Sequence, residues 1–139
     1  MTARRKAREL ALRVLYVMDL LGIKSEGAWE IIGGGQEGEK IRSFACELVE
    51  GAEKNMEFID GLIYEYAKNW EMDRIAKVDK AIIRMGLYEI YFEETIPKNA
   101  TINEAVELAK YYSTSKSHKF INGILDSCSR KSAKADEKR

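Results

Sequence analysis

Arg4, Arg5, Lys6 and Arg8 crowd four cationic side chains into five residues, and Tyr16 follows eight residues after Arg8, about two helical turns on. Guanidinium and ammonium groups at this density neutralise phosphates, and an aromatic face beside them can stack on an unpaired base. Lys116, Lys119, Phe120 and Asn122 form a second group near the other end. A net charge of zero conceals the pattern. Residues 1–13 carry five basic side chains against Glu9, and residues 116–139 carry seven against three acids, so each end is +4. Residues 14–115 hold eleven basic and nineteen acidic side chains, a net of −8. Two basic ends on an acidic body can draw a polyanion, a field that the pI of 6.6 does not reveal. Two solvated termini would show the same composition.

Other chemistry finds little support. His118 is the sole histidine, and without a second histidine or a cysteine pair there is no zinc constellation. Neither GxSxG nor GxxxxGK[ST] occurs. The glycine run 33–35 lacks the Lys-Ser/Thr of a phosphate-binding loop and follows no strand, so it reads as a surface loop. Cys46 and Cys128 stand far apart and outside any CxxC, which suits two reduced, packed thiols in a cytoplasmic protein. No window approaches eighteen apolar residues, and no apolar signal core follows the basic start. The expectation is a non-enzymatic cytoplasmic protein with no cofactor and no metal.

Helices must position these groups. One proline in 139 residues and helical apolar spacing throughout predict an all-α chain of about seven helices. Ala3, Ala7, Leu10, Ala11, Val14, Met18 and Leu21 form one stripe of a first helix over 3–21, closed by Gly22. A helical wheel puts Arg5, Arg8, Leu12 and Tyr16 on the side away from the core, where Leu12 and Tyr16 suit either an RNA platform or a homodimer interface. Shorter helices follow at 26–32, 38–54 and 55–69, the last with Asn55 as a plausible N-cap, and Trp70 and Met72 fall in the next link. The helix over 77–94 has two apolar stripes, so it should be the central post. Arg84 and Glu89 within it then need ion-pair partners, because an unpaired buried charge costs several kcal/mol. Thr101 and Glu104 have the spacing of a capping box opening a helix to about Tyr112. Ser117 can cap a last helix in which Phe120, Ile121, Ile124, Leu125 and Cys128 pack inward. The expected organisation is a single unit over 1–130, with halves at about 1–70 and 74–128 and a basic tail over 131–139.

Four stretches in this order resemble the NusB family: Arg4-Arg-Lys-Ala-Arg8 leading to Leu15-Tyr16; Val78-Asp-Lys-Ala-Ile-Ile-Arg84 with Leu87-Tyr-Glu-Ile90; Pro97 followed by Ile102-Asn-Glu-Ala-Val-Glu-Leu-Ala-Lys110; and His118-Lys-Phe-Ile-Asn-Gly-Ile-Leu-Asp126. Together they span nearly the whole chain. The resemblance implies two fused three-helix bundles without catalytic activity. It also implies binding to the boxA element of nascent RNA jointly with NusE, a small-subunit ribosomal protein, in the machinery that keeps RNA polymerase elongating through ribosomal RNA operons. The chain departs from the family pattern at Ser113, where the family often has glycine, and at Lys116, where it often has an acid.

On that basis Arg4, Arg5, Lys6 and Arg8 are expected to contact phosphates, and Tyr16 to stack on a base. Lys116, Lys119 and Asn122 are expected to form the other wall at the start of the last helix, where free N–H groups suit a phosphate. Phe120 is assigned to that wall too, although its spacing also fits the core. Asp79 is the residue expected to touch NusE; alternatively it simply favours a helix N-terminus. Two other readings stay open. A related domain precedes the catalytic part of some ribosomal-RNA cytosine methyltransferases, although this chain ends without a cofactor-binding domain. A structural helical dimer without RNA would need the same stripes and core.

Overall fold

Thr2 starts the first helix. Its backbone is extended and its hydroxyl accepts the Arg5 amide at 3.1 Å, an N-cap worth about 1 kcal/mol. That helix, α1 (Ala3–Leu21), stops at Gly22, whose φ of 64° lies in the left-handed region that glycine enters without steric cost. The computed structural model describes residues 2–33, 35–67, 74–114 and 116–132. Its other elements are α2 (Ser25–Ile32), a 3-10 turn (Gly35–Glu37), α3 (Glu39–Lys54), α4 (Met56–Tyr66), α5 (Lys77–Phe92), α6 (Lys98–Tyr112) and α7 (Ser117–Ser129). Among the described residues there is no strand, and the all-α, seven-helix expectation holds. No described helix is long and apolar enough to cross a membrane.

α5 is the central post that its two stripes require. It packs against α1, α3, α4, α6 and α7. Ile82, Ile83, Leu87 and Ile90 are fully buried, each contributing roughly 1.5–3 kcal/mol by leaving water. α1, α2 and α3 close on one side, α6 and α7 on the other, and α4 lies across α5 and α7. One apolar cluster runs through all of them, from Leu10 and Val14 through Leu48 to Ile121 and Leu125. Gly51 of α3 makes one close approach feasible, because the Tyr88 ring lies where a Cβ would stand.

The charges inside α5 find partners on other helices. Arg84 forks onto Asp60 with two bonds of 2.8 Å. Glu89 receives Arg8 of α1 at 2.8 and 2.9 Å. Asp19 collects Lys77 at 3.4 Å, Lys80 at 3.5 Å and Arg84 at 3.6 Å, and these cations hold its carboxyl low although burial alone would raise it.

Several local expectations are corrected. Arg8 and Leu12 are not on an outer face but buried, at 5% and 3% exposure. The wheel assumed one covered side, whereas α3 and α5 both pack on α1. Thr101 and Glu104 form no capping box. Pro97 supplies an extended N-cap, so α6 begins a turn earlier at Lys98. Thr101 is then inside, its hydroxyl donating to Glu89 at 3.0 Å, while Glu104 turns outward to Arg5. Asn55 precedes α4 but donates back to the Gly51 carbonyl at 2.8 Å. Ser117 donates to Asp79 at 2.7 Å instead of capping α7. Trp70, Met72, Gly34 and the tail from 133 lie outside the described residues.

Candidate nucleic-acid interface

The basic N-terminus divides by depth. Arg4 and Lys6 are exposed, and the Arg4 guanidinium sits 4.7 Å above the Phe44 ring in a cation–π contact. Arg5 is half-buried and forks onto Glu104, Nε donating at 3.0 Å and Nη2 at 2.8 Å. Arg8 lies deepest. Burial alone would lower its pKa, but its two bonds to Glu89 raise it on balance, so it is a permanently charged anchor between α1 and α5. The expectation of an exposed Arg8 ready for phosphate is thereby corrected: the residue is spent on Glu89 because the helices on either side leave it no route to water.

Tyr16 is half-buried in an apolar cleft of about 200 Å³ lined by Leu12, Arg13, Val17, Ile32, Val78 and Tyr112. The Tyr112 hydroxyl donates to Glu9 of α1 at 3.0 Å. Together with Arg5–Glu104, this bond bridges the outer faces of α1 and α6. α6 contributes Lys110, Tyr111 and Tyr112, all exposed. None of these, nor Arg13, stood out in the sequence. Their only signal was an adjacent tyrosine pair placed just before a polar link.

The second group of residues lies across α6. Lys119 and Asn122 of α7 are exposed and line a groove of about 310 Å³ with Asn103, Val106, Glu107, Lys110 and His118. Lys116 is exposed at the α7 N-cap. Phe120 is half-buried and packs against the core. The structure therefore joins Lys119 and Asn122 in one groove, leaves Lys116 at its edge, and turns Phe120 largely inward.

Asp79 does not face solvent. It is 6% exposed in the first turn of α5. Ser113 Oγ donates to it at 2.5 Å and Ser117 Oγ at 2.7 Å. In the chain alone Asp79 is an internal brace, with hydroxyls from the end of α6 and the first residue of α7 on its two carboxylate oxygens. Ser113, one of the two donors, is the C-cap of α6.

Known proteins match this geometry along nearly its full length. Residues 5–130 match the NusB family. Transcription antitermination protein NusB of Trichlorobacter lovleyi is 45% identical over 127 residues, covering 91% of this chain and 89% of its own. The solved T. maritima NusB superposes with a TM-score of 0.87 at 34% identity, covering 95% of this chain and 94% of its own. A structure of the antitermination factors NusB and NusE in complex with double-stranded RNA superposes at 0.84 with 27% identity, covering 94% of this chain and 98% of that one. Sequence and fold agree over the same residues, and the chain belongs to the NusB family.

Proposed function

We propose that this chain is a transcription antitermination factor that binds the boxA element of nascent RNA jointly with NusE, in the cytoplasm, as part of the RNA polymerase elongation complex on ribosomal RNA operons. The observation that carries the reading is the strip of basic and aromatic side chains, interrupted by Glu104 and Glu107, that runs from the start of α1 across α6 to α7 in a chain of this family. In this reading Arg4, Arg5 and Lys6 neutralise phosphates, and Lys116, Lys119 and Asn122 receive the strand on the far side. Tyr16 and Tyr112 offer ring faces at the cleft between α1 and α6. Phe120 supports the α7 wall from below, and Arg8 and Asp79 hold their helices in place without touching a ligand. The acidic body suits a basic ribosomal protein as neighbour. The work is binding and has no catalytic step.

Affinity for a boxA oligonucleotide, measured by fluorescence anisotropy at two salt concentrations with and without NusE, tests this. Affinity should fall steeply with salt, since phosphate contacts release counterions, and rise when NusE is present. Equal affinity for a scrambled RNA in the presence of NusE would overturn the boxA assignment. The Lys116→Glu/Lys119→Glu double variant should fold normally and lose roughly tenfold or more in RNA affinity, in line with two lost phosphate contacts; unchanged affinity would remove the α7 wall.

A further inference from the structure

Glu104 stands inside the cationic strip. Both its oxygens face the fork of Arg5, at 3.0 and 2.8 Å, and Oε1 lies 3.9 Å from Nη1 of Arg8. The Arg5 and Glu104 side chains are 32% and 26% exposed, so a ligand can reach the pair from solvent. A guanidinium fork offers a carboxylate the same two parallel donors that it offers a phosphate. The carboxylate thus occupies the acceptor position that an RNA phosphate would take on Arg5. Arg4 beside it is exposed and rests on the Phe44 ring.

We infer that Glu104 is an internal competitor for the RNA backbone: a phosphate reaching Arg5 must displace this carboxylate, and Glu104 thereby sets the RNA affinity of the strip. The inference rests on the RNA-binding reading above. Arg5 holds the Glu104 carboxyl below its ordinary value of 4.5, so the competitor is charged throughout the neutral range. Glu107 lies one turn along α6 and faces Lys110 at 3.2 Å instead. It carries the same charge close by without occupying the fork.

The test is RNA affinity for wild type, Glu104→Gln, Arg5→Ala and the double variant, with Glu107→Gln as the charge control and a boxA oligonucleotide as probe. Glu104→Gln should bind roughly two- to fivefold more tightly, the factor that a partly exposed ion pair is worth. The gain should vanish in the Arg5→Ala background, and Glu107→Gln should gain less. Glu104→Asp keeps the charge but draws it back from the fork, so an intermediate gain is expected and the comparison survives if the glutamine variant folds poorly. In carbon-detected NMR titrations, the Glu104 carboxyl should move back toward its ordinary value when RNA binds. Weaker binding by Glu104→Gln would mean that the carboxylate instead holds Arg5 ready for RNA. A gain that persists without Arg5 would mean bulk charge alone. Either result overturns the inference while leaving RNA binding intact. A wild type that binds no boxA RNA, with or without NusE at low salt, overturns the underlying reading and this inference with it.

Discussion

Arg8 carries a charge into a place where charge is expensive. Its bidentate bond to Glu89, joined by the Thr101 hydroxyl on the same carboxylate, offsets the lost hydration of both groups. Removing one member leaves the other charged and buried. Arg8→Ala should therefore cost about 3–5 kcal/mol of stability, and adding Glu89→Leu should recover a large part of it. Urea unfolding of the three variants measures this, and a loss below about 1 kcal/mol in the single variant would show that the pair is not tightly coupled. Asp79 follows the same logic. Asp79→Lys would set an ammonium against two serine hydroxyls in a nearly closed site, so the variant should unfold at distinctly lower urea than wild type. If it keeps wild-type stability while losing NusE, the residue is a direct contact after all. At this scale the sequence told that Arg84 and Glu89 needed partners, because their neighbours in the helix were apolar on both sides. It could not tell which ones. Asp60 and Arg8 lie 24 and 81 residues away, and nothing local links them.

The helices themselves were legible because each carries apolar residues at three- and four-residue spacing. α1 was read with its true bounds, since Gly22 is a strong stop signal. α6 shows where such reading ends. Thr101 and Glu104 have the spacing of a capping box, yet Pro97 had already started the helix. The two side chains were then free to serve other helices, Thr101 on Glu89 and Glu104 on Arg5. The error on Arg8 and Leu12 has the same origin: a wheel drawn for one helix does not know how many helices will cover it. How closely two helices approach was equally hidden. The α3–α5 contact depends on Gly51, where the Tyr88 ring fills the space of a side chain, and that ring is stacked on Phe92 with centroids 5.8 Å apart. Gly51→Ala should push the ring out of its stack and cost about 1–3 kcal/mol, whereas Gly61→Ala, with open space at its Cβ, should be neutral or slightly stabilising. Thermal unfolding of both variants decides it; equal midpoints would mean that Tyr88 yields without cost.

Across the whole molecule, the consequences of charge depend on pairs that only the fold creates. Those pairs on the acid side, and buried thiol and phenol groups on the alkaline side, make stability depend on pH from both directions. Glu104 and Asp19 are held below their ordinary values of 4.5 and 3.8, Glu104 chiefly by the Arg5 bond and Asp19 by Lys80, Arg84 and Lys77 against its burial. A group with a depressed folded value binds more protons when unfolded. Its stabilisation is complete above the unfolded value and is lost as pH falls through the folded one. Stability should therefore decline from about pH 4.5 downward. On the alkaline side, burial pushes the Cys128 thiol from 9.0 up to about 12, and burial likewise raises Tyr88, Tyr91 and Tyr112 above 10.0. These groups keep their protons in the fold longer than in the unfolded chain, so their contribution is full below about pH 9 and fades above it. The urea midpoint against pH should be a plateau between these limits that falls on both sides. Glu104→Gln should flatten part of the acid limb and leave the alkaline limb unchanged, while Cys128→Ala should do the reverse after allowing for its lower baseline. A midpoint that stays level down to pH 3, or an acid limb that Glu104→Gln leaves unaltered, would show that the Arg5–Glu104 pair does not bias folding, however well formed it is.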